Sequence, residues 1–181
     1  MVILDMIGID KLLVVREVID GIFFLLTEHK VLPEGPVPEG KSILDWAFDY
    51  IHNEVHLSEE EIDEMERRYW QLLQKNKDFL QIAQSFFADA SVIRQAPNAE
   101  LFVREFSEIL ITLINSLWGM IAFFPLLIRY LRYKNENLEN GVKVFLSAVI
   151  VNLKSLLEID ALVQKSRERI NKEFNGGTEL N

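Results

Sequence analysis

Apolar residues recur three and four positions apart along most of the chain, the spacing that lays one hydrophobic stripe along an α-helix. From Ile9 to His29 the stripe is Leu12, Val15, Ile19, Ile22 and Leu26. Val14, Val18, Phe23 and Leu25 widen it, which predicts a helix buried on more than one side. Three of the five prolines fall in Val31-Leu-Pro-Glu-Gly-Pro-Val-Pro-Glu-Gly40, so residues 31–41 read as an extended connector crossing the surface. Ser42 is placed to cap a short helix over 43–55 bearing Ile43, Trp46, Ala47, Tyr50 and Ile51.

Ser58-Glu-Glu-Glu61 is a capping box: the serine oxygen accepts from the N3 amide and Glu61 reaches back. The helix it opens runs toward Arg94 on the seam Ile62, Met65, Tyr69, Leu72, Asn76, Phe79, Ala83, Phe86, Ala90 and Ile93. That is more than four heptads, roughly 50 Å if unbroken. Its weak point is the polar run Gln74-Lys-Asn-Lys-Asp78, where a break is the alternative to one continuous helix. Pro97 ends the element, and Asn98 suits the cap of a next helix over 99–133. Pro125 lies inside that helix and predicts a kink or restart near Phe124. After a polar turn at 134–141, a last helix over 142–174 carries Val142, Phe145, Val149, Asn152, Leu156, Ile159, Val163, Ser166 and Ile170 in the same rhythm. Asn175-Gly-Gly177 predicts its stop, leaving 175–181 as a tail. With no strand alternation and no internal repeat, the expected fold is all-α. It is a single-domain bundle of five or six helices over residues 1–181, with the apolar 99–133 helix at its centre.

Composition agrees. A chain of 181 residues with only 8 glycines and 5 prolines lacks the turns of a sandwich or barrel of short strands. This length buries a sizeable core without staples. The formal charge of −9 argues against nucleic acid, whose binding draws on Lys and Arg neutralising phosphates. Only the stretch around Arg129, Arg132 and Lys134 is locally basic. The absence of cysteine removes disulfides, thiolate metal sites and cysteine nucleophiles. The first residues lack the cationic region and cleavage site of a signal peptide, so a cytoplasmic address is expected.

Residues 109–128 carry no charge and are followed by Arg129, Arg132 and Lys134. By length this segment suffices to cross a bilayer. Asn115, Ser116 and Pro125 interrupt it, however, and the flanking helices are amphipathic. A helix enclosed by others must also be apolar all round, which is the reading preferred here. Membrane insertion of 109–128 is the alternative. Within this run, Leu117-Trp-Gly-Met-Ile-Ala-Phe-Phe124 resembles the first homology motif of the B-cell-lymphoma family of apoptosis regulators, which wraps amphipathic helices around an apolar one. The family pattern has Asn before Trp-Gly and Arg after it, where this chain has Leu117 and Met120. The resemblance implies an apoptosis-regulator-like bundle, and no site residue is carried over from it.

Other candidates are fewer. Trp118, Met120, Phe123 and Phe124 are the residues expected to line an apolar site for a protein partner or an apolar small molecule. Asn76 and Asn152 sit in heptad seams, where asparagine can fix register and association, including a homodimer. His52 and His56 are four apart, but Glu54 is misplaced for a metalloprotease motif and Glu-x-x-His pairs are missing, so no metal site is assigned. The acid run 59–66 reads as a capped, solvated helix start. No phosphate loop or nucleophile elbow is present, so neither an enzymatic role nor a cofactor is expected. The expected function is a non-enzymatic binding or regulatory module. It acts through an apolar groove or cavity, or through helix-mediated self-association.

Overall fold

The computed structural model describes residues 9–98 and 100–179, with side chains from Leu12 to Asn175. Among these residues there are six α-helices and no strand: α1 (Ile9–Glu28), α2 (Ile43–Asn53), α3 (Glu59–Lys75), α4 (Phe79–Gln95), α5 (Leu101–Tyr133) and α6 (Glu139–Glu179). A 3₁₀ turn at Glu136–Leu138 joins the last two.

Helix boundaries follow local chemistry. Ser42 Oγ accepts from the Asp45 amide and Ser58 Oγ from the Glu61 amide, so both expected N-caps are in place. At the end of α1, Lys30 takes a left-handed φ of 52° and the Val31 amide reaches back to the Leu26 carbonyl. This is a Schellman ending, with Val31 buried as its hydrophobic partner. The connector beyond it is largely exposed from Glu34 to Lys41 and turns at Gly35 and Gly40, both at positive φ.

One open point is resolved and three expectations need correction. The 58–94 element is two helices, because the break falls in the polar run: Asn76 caps α3, its Nδ2 donating to the Leu72 carbonyl at 3.0 Å. The central helix starts at Leu101 with Glu100 in the cap position, while Arg104 donates to the Ala96 and Pro97 carbonyls and holds the preceding turn. No restart occurs at Pro125, since α5 runs through it. Finally, α6 continues past Gly176 and Gly177 to Glu179, because glycine raises the cost of a helix without forbidding it. The chain start and residues 180–181 of the expected tail lie outside the described residues.

Helix α5 occupies the middle. It packs along its length on α6 and also against α4 and α3, while α1 lies on α3 and α4, and α2 on α6. Its exposed positions are Leu101, Glu105, Glu108, Thr112, Asn115, Ala122, Arg129 and Tyr133, one mostly polar or small stripe. Leu110, Leu113, Ile114, Leu117, Met120, Phe124 and Leu127 are fully buried on the opposite side. The α5–α6 pair approaches closely at its glycines: a Cβ on Gly119 would lie 3.1 Å from that of Ala148, and one on Gly141 2.5 Å from Leu126 Cδ1.

The basic stretch is used inside the bundle. Arg132 donates to Asp63 (2.6 Å) and Glu66 (3.2 Å), tying the end of α5 to the acid-rich start of α3. Lys134 Nζ donates to the Ile51 and Val55 carbonyls, where it satisfies the end of α2. Burial of this ammonium pushes its pKa below the ordinary lysine value.

Candidate functional site

The break between α3 and α4 opens a cleft of about 400 Å³. Its walls are Trp70 and Leu73 from α3 and Phe79 and Leu80 from α4, with Ile121 of α5 between them. Gln74 and Lys77 complete the lining. Had the helix continued through residues 76–78, one straight rod would replace this elbow. Because Asn76 stops α3 and Phe79 turns inward as the buried first residue of α4, the apolar side chains on either side of the break converge. Trp70 stays 53% exposed and Leu80 44% exposed, so both large apolar groups face water in the same cleft.

Behind the cleft is an aromatic stack. Tyr69 lies parallel to Phe124 at 4.1 Å between ring centroids, and Phe124 meets Phe145 edge-on at 5.8 Å. Trp70 packs edge-on against Tyr69 at 5.1 Å. Three helices are thereby bridged by rings whose offset and edge-on contacts are worth about 0.5–1.5 kcal/mol each beyond burial. Tyr69 also donates its hydroxyl to the Ile121 carbonyl at 2.8 Å. That carbonyl would ordinarily accept from the amide four residues on, but residue 125 is proline and has none. The floor of the cleft is thus held where the helix ladder has a gap. Burial pushes the Tyr69 hydroxyl's pKa well above the ordinary tyrosine value.

The residues expected to form an apolar site are distributed differently. Met120 and Phe124 are fully buried, and Trp118 and Phe123 are half-buried against the core. None of the four lines this cleft; α5 contributes Ile121 instead. Met120, at the place of the apoptosis-regulator arginine, is enclosed and presents nothing to a partner's acid.

The two asparagines do not meet each other. Asn76 turns onto its own helix. Asn152 is fully buried between α5 and α6, where Nδ2 donates to Ser116 Oγ (3.0 Å) and the Leu113 carbonyl (3.3 Å), and Oδ1 has no partner. The histidines diverge. His52 Nδ1 lies 2.6 Å from the Tyr130 hydroxyl, whereas His56, beyond the end of α2, bonds the Asn53 carbonyl.

A second cleft of about 450 Å³ lies between α5 and α6, with Ile109, Ala161 and Leu162 as its floor and Glu105, Glu108, Glu158 and Lys165 around it. Among the described residues no three His, Asp or Glu side chains converge as a metal site would require. Compared with protein-family models, with curated proteins and with solved structures, the chain matches none.

Proposed function

We propose that this protein is a non-enzymatic binding module whose ligand seat is the cleft at the α3–α4 elbow, and that the ligand is an apolar chain. One observation carries the reading: Trp70 and Leu80, two large apolar side chains about half in water, line the same cleft. A volume near 400 Å³ falls within the range of small-molecule sites, roughly 300–1,000 Å³. The packed aromatic backing favours the reading further, because side chains already held by their neighbours lose little entropy on binding.

The test is a titration with Nile red, a neutral apolar probe. Wild type is expected to bind it, Trp70→Ala and Leu80→Ala to lose most of that binding, and Leu162→Ala, in the other cleft, to retain it. Each substitution trims a side chain at least partly in solvent, so circular dichroism should show the fold intact. No uptake by wild type, or equal uptake by Trp70→Ala, overturns the reading.

Insertion of 109–128 into a membrane is the competing reading. Helix α5 is long and apolar enough to span a bilayer. In the bundle, however, its flanking cations Arg132 and Lys134 are occupied within the chain, and its outward stripe carries Glu105, Glu108, Thr112 and Asn115. Flotation with neutral vesicles would favour that competitor.

A further inference from the structure

The elbow cleft also has a polarity. We propose that its occupant is a single-chain amphiphile with an anionic head, of the class of medium-chain carboxylates, the head pairing with Lys77 and the chain lying over Trp70, Leu80 and Ile121. This inference rests on the binding role proposed above and adds the sign of the ligand.

Among the described residues, Lys77 is the one charged side chain lining the cleft. None of those residues brings a carboxylate within ion-pair distance of it, whereas Lys75, two residues earlier, is occupied by Glu17 at 3.5 Å. Asp78, next in sequence, is exposed and lies outside the lining. All other lining groups are apolar except the neutral Gln74. One cation at the edge of an apolar trough is the complement of a molecule with one anionic end. The surrounding field has the opposite sign, since the whole chain carries −9. A preference for an anion must therefore arise locally, because long-range steering favours cations.

Calorimetric or fluorescence titration of the full chain with decanoate and decylammonium, each below its micelle concentration, and with 1-decanol below its solubility limit, tests this. Decanoate is expected to bind severalfold more tightly than 1-decanol, as an ion pair to a solvent-exposed lysine implies. In Lys77→Gln the decanoate affinity should fall to the level of 1-decanol, with 1-decanol itself unchanged. Equal binding of decanoate and 1-decanol, with both lost in Trp70→Ala, overturns the anionic head and leaves the apolar seat standing. Tightest binding by decylammonium, or decanoate binding indifferent to Lys77→Gln, also overturns it. No binding of any of the three overturns the seat as well.

Discussion

Tyr69 and Pro125 are 56 positions apart, yet each explains the other. Proline leaves the Ile121 carbonyl without its ladder partner, and the Tyr69 hydroxyl fills the gap at 2.8 Å from a fully buried ring. Removing that hydroxyl strands a carbonyl away from water, which costs about 1–3 kcal/mol. Tyr69→Phe is therefore expected to lower the unfolding free energy by about that amount in urea titration. Pro125→Ala, which returns an amide to the ladder, should shrink the penalty when combined with it, a coupling that a double-mutant cycle reads directly. The pH dependence has a definite sign. The folded state holds the Tyr69 proton above the ordinary value near 10, so stability is unaffected below that pH. As pH rises past it the unfolded chain ionises first and stability falls. Tyr69→Phe should flatten part of that fall, and Tyr130, whose pKa is likewise raised mainly by burial, accounts for part of the remainder.

Among the elements, the α5–α6 pair packs most extensively. Gly119 against Ala148 and Gly141 against Leu126 bring the two backbones together, and Asn152 lies in the same interface bonded to Ser116. The asparagine costs stability, since its Oδ1 is buried without a donor among the described residues. Asn152→Leu keeps a similar volume, removes the orphaned acceptor and leaves Ser116 bonded to the Leu113 carbonyl. We expect it to raise stability by about 1–2 kcal/mol, seen as a few degrees in Tm. A loss of stability would mean that its two donated bonds outweigh the unpaired oxygen.

Elements such as these were readable before any coordinates because burial and periodicity speak the same language. The stripe of α1, the two serine caps and the apolar centre of α5 all follow from spacing. The break at Asn76 was visible only as a weakness. A heptad seam registers which side chains face inward, and Asn76 keeps the seam's rhythm while its amide returns to its own backbone. Sequence likewise cannot display a compensating bond from another helix, so Pro125 suggested a restart that Tyr69 makes unnecessary.

For the whole molecule, net charge, helix content and the central position of α5 were legible, and the elbow cleft proposed here as a seat was not. Trp118, Met120, Phe123 and Phe124 stood out because they lie in the most apolar run, but such a run is what a bundle buries first. For the proposed cleft, the signal lay in Trp70 and Leu80. They are bulky apolar residues off the seam, where polar side chains belong, on either side of the weakest point in the periodicity. The structure brings that mismatch into one cleft. Its lining is apolar but for Gln74 and Lys77, on a protein otherwise acidic.

Backbone amide chemical shifts followed by nuclear magnetic resonance during addition of decanoate test the central claim most directly. The account predicts saturable shifts concentrated at Trp70, Leu73, Lys77, Leu80 and Ile121, with little change around Ile109 and Leu162. Shifts centred on the α5–α6 cleft, or no saturable shifts at the elbow, would contradict it.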